Sequence, residues 1–148
     1  MEISSQVVSL ELSKQLKETG YKQEGLWCSD LASHNPEKVR PIYSGIDLPH
    51  PDFVIRPTVA ELGEALPSCV EVNEQAYYLR IWNGCGLWTI SYMYQGKDYQ
   101  WFNLHSVTDT EVNARAKMWL YDYNDGNVPD ALKDGFLGFV RCGQSFDF

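Results

Sequence analysis

The sequence lacks the local signatures of several protein classes. Its four cysteines, Cys28, Cys69, Cys85 and Cys142, show no CxxC spacing and no histidine at the intervals of a metal finger. There is no GxSxG elbow, and the glycines do not continue into a phosphate-binding loop. We therefore expect no metal site and no cofactor. We interpret the cysteines as reduced thiols rather than as disulfides or metal ligands.

Basic residues are in short supply, because 12 Lys and Arg face 20 Asp and Glu, for a formal net charge of −8. Affinity for a phosphate backbone depends on Lys and Arg releasing counterions, so we expect no nucleic-acid partner. The acidic residues are scattered rather than set in long rows. This pattern favours solubility over mimicry of DNA charge.

Long apolar runs are also absent, and none approaches the roughly 20 residues needed to span a bilayer. The first residues, MEISSQVVSLELSKQ, lack the basic and apolar regions of a signal peptide, so we expect no membrane association and a cytoplasmic location. A hydrophobic content of 44% excludes global disorder. The length predicts one domain over residues 1–148.

An aromatic stretch over residues 76–105 predicts three consecutive antiparallel strands, because β-branched and aromatic residues alternate between turn formers. The first turn former is Asn83-Gly84, a pair typical of two-residue type I′ hairpin loops. A loop at this position would pair Leu79 with Trp88.

The second turn is predicted as a three-residue loop over residues 96–98 with a bulge. In that register Tyr92 pairs with Phe102, and Ile90 pairs with Leu104. A slip of one residue would turn the apolar set of the third strand toward water, which is why we prefer this register.

These registers give the sheet two different faces. The predicted buried face comprises Tyr77, Leu79, Ile81, Trp88, Ile90, Tyr92, Phe102 and Leu104. The opposite face comprises Tyr78, Arg80, Trp82, Thr89, Ser91, Met93, Tyr99 and Trp101. Aromatic side chains and Arg supply much of the binding energy in protein interfaces. Tyr78, Arg80, Trp82 and Trp101 are therefore candidate binding residues, unless the C-terminal tail or a proline-rich loop covers them.

Two helices are predicted before the aromatic stretch. The first covers residues 9–19, with Ser9 as N-cap and Gly20 as the C-terminal stop. The second begins at Thr58, which forms a capping box with Glu61, and ends at a proline.

A third helix of about 15 residues is predicted after the aromatic stretch, following a capping box over residues 108–111. Its apolar side should lie on the core face of the sheet. That side comprises Val112, Ala116, Trp119, Leu120 and Tyr123. The result is an α+β domain: an antiparallel β meander of three or more strands with helices packed on one face.

Two segments lie outside this pattern. Residues 29–57 hold five of the seven prolines, so we predict a long loop with one edge strand near residues 39–43. The tail over residues 128–148 is rich in Phe, so we expect it to dock on the domain.

The segments TVAELGEALP (residues 58–67) and TEVNARAKMWLY (residues 110–121), separated by a meander rich in Trp and Tyr, resemble small phage and prophage proteins of Bacteroidetes. The likeness covers roughly residues 8–124, while the loop at 34–51 and the tail after Asn127 differ from that group. The resemblance implies a phage-derived accessory protein. It assigns no functional residue.

Two hypotheses about function follow. In the first, the protein is a non-enzymatic interaction module whose outer sheet face meets a protein partner or a second copy of the chain. In the second, a small-ligand or weakly catalytic site lies between the proline-rich loop and the sheet and uses His34, His50 or His105. The alternative role for Cys85 is a nucleophile with His105 as base, but hairpin geometry explains Cys85 better. An active site assembled from distant residues would leave no local trace.

Overall fold

The computed structural model describes residues 2–42 and 48–124, so the predicted apolar tail lies outside the described residues. A 3-10 turn at Ile3–Ser5 precedes helices α1 (Leu10–Thr19), α2 (Val59–Ala65) and α3 (Glu111–Asn124). A three-stranded sheet of order β2-β1-β3 contains β1 (Trp27–Asp30), β2 (Arg40–Pro41) and β3 (Phe53–Ile55). A four-stranded sheet of order β4-β5-β6-β7 contains β4 (Cys69–Val72), β5 (Gln75–Gly84), β6 (Leu87–Gln95) and β7 (Trp101–Asp109). Both sheets are antiparallel, which confirms the α+β class and the meander.

Helix α3 is the centre of the core, because it contacts α1, α2, β6 and β7. The fully buried Ile90 and Tyr92 of β6 belong to the same apolar cluster. Ala114 and Ala116 are also fully buried, and their small side chains allow neighbouring elements to approach closely. The buried apolar residues of α3 are Val112, Ala114, Ala116, Met118, Trp119 and Leu120, and the carboxylate residue Asp122 is fully buried as well. The predicted core side of α3 is thus confirmed as far as the side chains are described, which excludes Tyr123.

The first hairpin turns two residues later than predicted. Gly84 pairs with Leu87, and the loop is Cys85-Gly86, whose φ angles of 56° and 80° are both positive, as a type I′ turn requires. Leu79 therefore pairs with Tyr92 rather than Trp88, and the predicted register is wrong. Because the partner changes by an even number of residues, every β5 side chain keeps its predicted face.

The loop of the second hairpin is longer than predicted. It covers residues 96–100, and Phe102 pairs with Tyr94 rather than Tyr92. Phe102 lies on the predicted side of the sheet, but it is 43% exposed and stacks on Tyr94 with ring centres 4.9 Å apart. Its predicted burial is therefore wrong, because Phe102 packs on Tyr94 outside the apolar cluster that surrounds α3.

A β-bulge interrupts the pairing of β6 and β7. Asn103 pairs with Met93 and His105 pairs with the next residue, Tyr92, so Leu104 is the extra residue. The predicted pairing of Leu104 with Ile90 is therefore wrong. Leu104 still packs against the core, as predicted, and is partly buried.

The ends of the first two helices follow the predicted local signals. The Ser9 hydroxyl accepts a hydrogen bond from the Leu12 N–H, and Gly20 ends α1 in the left-handed conformation at φ 108°. Thr58 and Glu61 form the capping box of α2, with both reciprocal hydrogen bonds present.

The capping box predicted before α3 is wrong. Thr108 belongs to β7, and its hydroxyl lies 3.0 Å from the hydroxyl of Thr89. Glu111 instead forms an ion pair with Arg115 one turn later, at 2.9 Å. The cross-strand contact and this ion pair occupy the two side chains that a capping box would need.

The proline-rich segment contains more regular structure than predicted. The edge strand expected near residues 39–43 is the two-residue strand β2, while β3 was not predicted. Three residues between proline-containing segments are too few to show an alternating pattern. Strand β3 contacts α1, so this small sheet lies at the α1 side of the core.

Arg56, which follows β3, holds the small sheet to the N-terminal segment. It is 3% exposed, and its Nε donates to the Val8 carbonyl at 2.8 Å. Its Nη1 donates to the Ser29 hydroxyl at 2.8 Å and to the Glu37 carbonyl at 3.2 Å. Burial lowers the pKa of Arg56, an effect opposed by the charge of Glu37. One buried cation therefore joins three chain segments through neutral acceptors.

Candidate functional site

The outer face is the side of the four-stranded sheet opposite α3. Alternation along β5 directs Leu79 and Ile81 to the core, and therefore Arg80 and its even-numbered neighbours outward. Arg80 pairs with Ser91, and Trp82 pairs with Thr89. On β5, β6 and β7 the outer face comprises Tyr78, Arg80, Trp82, Leu87, Thr89, Ser91, Met93, Gln95, Trp101, Asn103, Ser106 and Thr108. On β4 it includes Cys69 and Glu71, which pair with Tyr78 and Ala76. All four candidate binding residues lie on it.

The aromatic side chains of this face are about half exposed. Tyr78 is 52% exposed, and Trp82 and Trp101 are each 46% exposed. The described part of the proline-rich segment therefore leaves these side chains accessible. The C-terminal tail, which was the other segment expected to cover them, lies outside the described residues. Leu87, 48% exposed, adds apolar surface that the sequence prediction missed because it placed the turn too early.

Arg80 reaches across β6 to β7. Its guanidinium carbon lies 4.3 Å from the centre of the Trp101 ring, within the range of a cation–π contact. Since Arg80 pairs with Ser91, the side chain must pass over the central strand to make this contact. The contact holds the guanidinium over one face of the Trp101 ring.

A closed ring of hydrogen bonds lies in the middle of the outer face. The Asn103 Nδ2 donates to the Ser106 Oγ at 2.7 Å, and the Ser91 Oγ donates to the Asn103 Oδ1 at 2.6 Å. The ring closes when Ser106 donates to Ser91, whose oxygens are 2.6 Å apart. Ser91 is fully buried, so these bonds satisfy a polar group that water does not reach.

The outer face carries little charge for a chain of net charge −8. On β5, β6 and β7, Arg80 is the only outer-face residue that is charged at neutral pH, while β4 adds the exposed carboxylate of Glu71 at the edge of the sheet. The middle of the face therefore combines aromatic rings, satisfied polar groups and one arginine. This is the composition of a protein-interface core, which is depleted in charge and enriched in aromatics and Arg.

Tyr99 lies beside this face rather than on it. It was predicted on the outer face, but it sits in the loop over residues 96–100, with φ 60° and 81% of its surface exposed. A positive φ is unfavourable for a bulky residue. The loop thus presents an exposed aromatic ring next to Trp101.

The three histidines of the second hypothesis lie in separate parts of the fold. His34 is exposed between β1 and β2, and His50 packs edge-on against Phe53 before β3. His105 stacks on Tyr121 of α3, with ring centres 3.7 Å apart. In the described ranges no three His, Cys, Asp or Glu side chains group as a metal site would require.

The cysteines have different environments. Cys28 is a buried free thiol, and Cys85 is an exposed free thiol at the tip of the first hairpin. Burial, the largest effect, raises the pKa of Cys28, and nearby Arg40 opposes it. Cys69 is disulfide-bonded, so the prediction of a reduced thiol is wrong there. Cys142 lies outside the described residues.

Cys85 and His105 do not form a catalytic pair. The Cys85 turn follows the Gly84–Leu87 pair, whereas His105 pairs with Tyr92. Five residues along β6 separate these positions, which corresponds to roughly 17 Å at the rise of an antiparallel strand.

An open cleft of about 400 Å³ lies elsewhere, between the N-terminal turn and the β1–β2 connection. It is lined by Glu2, Ile3, Ser4, Asn35, Glu37, Lys38 and Val39. Its lining mixes acidic, basic and apolar side chains without a group of convergent donors. It therefore indicates no particular ligand.

Comparison of the chain with protein-family models, curated proteins and solved structures gave no match. The phage origin implied by the sequence resemblance therefore stays a prediction. None of the helices in the described ranges is long and apolar enough to cross a membrane.

Proposed function

We propose that the protein is a non-enzymatic interaction module whose outer face binds a protein partner. The observation that carries this proposal is the grouping of three half-exposed aromatic rings, Tyr78, Trp82 and Trp101, around Arg80 on one sheet face. Trp, Tyr and Arg are the residue types most enriched among interface hot spots.

The rigidity of the platform supports the proposal. The aromatic side chains of the outer face project from paired strands. The hydrogen bonds among Ser91, Asn103 and Ser106 tie β6 to β7 beneath them. A partner would therefore need to order few side chains, which reduces the entropic loss on binding. The acidic balance of the chain favours a protein over a nucleic acid.

The test is affinity capture from a lysate of the source cell, followed by calorimetric titration of the purified partner. Loss of a hot-spot Trp costs at least about 2 kcal/mol, or roughly 30-fold in affinity. We expect the double variant Trp82→Ala and Trp101→Ala to weaken binding by at least this factor. The circular-dichroism melt of the variant should stay close to that of the wild type.

The matched control is Leu26→Ala, since Leu26 is a 66% exposed apolar residue outside the four-stranded sheet. This variant should bind as the wild type does. Equal binding by the double variant would show that the partner uses another surface. A large decrease in its melting temperature would show that the two Trp residues stabilise the fold instead.

A further inference from the structure

Strand β7 is a sheet edge on whose free side no other strand of the described residues pairs. Proteins usually shield edge strands by making them short or by placing proline or charge on them. The other three edges follow this rule: β2 contains Pro41, β3 has three residues, and β4 has four residues including Glu71. Strand β7 has nine residues without proline or lysine, its one carboxylate, Asp109, stands at its last position, and the bulge at Leu104 is its other protective feature.

The backbone of β7 offers hydrogen-bonding groups on its free side. The Gly96 N–H donates to the Gln100 carbonyl at 2.8 Å, which fixes the alternation of paired and outward-facing residues in this hairpin. Phe102 then turns its N–H and carbonyl toward β6. Trp101 and Asn103 direct theirs away from the sheet, where no described strand pairs with them.

The charges of β7 favour a second copy of the chain as its occupant. Asp109 is the only acidic residue of the strand, and Lys117 neutralises it at 2.6 Å. Two chains of net charge −8 repel each other over most of their surface, but two β7 edges meet without this repulsion. Antiparallel pairing of identical strands also satisfies a two-fold axis.

We propose that two copies of the chain pair antiparallel along β7, so that their four-stranded sheets join into one continuous sheet. The two outer faces would then lie on the same side of that sheet. This inference goes beyond the proposed partner binding, because it uses the strand edge rather than Tyr78 and Trp82. A dimer built on one strand pair buries less than a standard interface of about 1,600 Å², so we expect a weak one.

The test is light scattering after size exclusion, from about 1 μM to 1 mM as suits weak interfaces. The wild type should approach twice the chain mass of 17.0 kDa at high concentration. Thr108→Lys places a charge at the exposed edge and should keep the chain monomeric. Ser106→Lys is the second variant, and thermal melts confirm that both are folded.

Leu87→Lys is the matched control, because it adds the same charge to the same face on the central strand β6. This variant should dimerise as the wild type does. A wild type that stays monomeric up to 1 mM would overturn the proposal. Dimers of both edge variants, or a monomeric Leu87→Lys, would also overturn it. Trp82→Ala, which tests partner binding, should leave the dimer unchanged, so the two proposals fail separately.

Discussion

The Arg80 guanidinium lies 4.3 Å from the centre of the Trp101 ring, although the two residues stand on strands separated by β6. The contact joins β5 to β7 above the central strand. It therefore links the stability of the sheet to the arrangement of its exposed aromatic residues.

This link predicts a measurable coupling between the two side chains. In a double-mutant cycle of Arg80→Gln and Trp101→Leu, we expect a coupling of about 0.5–1 kcal/mol in the free energy of unfolding. Urea denaturation measures it. The cycle of Arg80→Gln with Leu87→Ala is the control. Leu87 lies on β6, four residues before Ser91, the residue with which Arg80 pairs. Equal coupling in both cycles would contradict a specific contact.

Replacement of Arg56 by Met should destabilise the fold strongly. It removes the donor to the Val8 carbonyl, the Ser29 hydroxyl and the Glu37 carbonyl. We expect a loss of roughly 2–4 kcal/mol in the free energy of unfolding, because buried acceptors would be left without partners. Lys22→Met is the control, since the Lys22–Glu24 ion pair is exposed and should contribute little. A small effect of Arg56→Met would mean that water replaces the lost donors.

The two threonines before α2 and α3 should differ in their effect on stability. Thr58→Ala removes a capping box and should lower the free energy of unfolding by about 1 kcal/mol. Thr110→Ala is the matched control, because the Thr110 hydroxyl makes no hydrogen bond within the described part of the chain. Chemical denaturation of both variants measures the difference, and equal losses would contradict it.

The Asp109–Lys117 pair predicts a pH-dependent contribution to stability. Partial burial acts to raise the pKa of Asp109, but the hydrogen bond from Lys117, the Thr110 N–H and the Lys117 charge together lower it. A lowered pKa in the folded state stabilises the fold above the unfolded pKa of about 3.9 and ceases to do so as the pH falls through the folded value.

The measurement compares the wild type with Lys117→Met across pH. We expect the wild type to be more stable by about 0.5 kcal/mol at pH 7, as is typical of a partly exposed pair. That difference should shrink as the pH falls below about 4. A difference that does not change with pH would assign the role of Lys117 to packing.

The helix ends were predictable because their signals are local. Ser9, Thr58 and Glu61 act on backbone groups within three residues, so the sequence alone specifies them. The same reasoning failed at Thr108, whose hydroxyl contacts Thr89 on another strand. The pairing of β6 with β7 places the Thr108 hydroxyl against Thr89, so it does not cap α3.

The faces of the sheet were predictable, but its registers were not. Alternation assigns Tyr78, Arg80 and Trp82 to one face for any turn position that changes their β6 partners by an even number of residues. The turn itself depended on long-range packing: Cys85-Gly86 forms the loop, and this choice pairs Ile81 with Ile90 against the core. The usual preference for Asn-Gly in such loops is too weak to outweigh this burial.

The outer-face hydrogen-bond ring was beyond sequence reasoning. Ser91, Asn103 and Ser106 are short polar residues that resemble any solvent-facing positions of a strand. Their proximity depends on the bulge, which lets Ser91 pair with Ser106 while Met93 pairs with Asn103.

The extra residue at Leu104 also makes β7 tolerant of a change in length. Deletion of Leu104 would leave strict alternation, with Phe102, His105 and Val107 still directed toward α3 and their partners on β6 unchanged. Strand β5 contains no bulge in its pairing with β6. An insertion of one residue into β5 would therefore reverse the direction of every side chain beyond the insertion. Homologues should therefore gain or lose single residues in β7 far more readily than in β5.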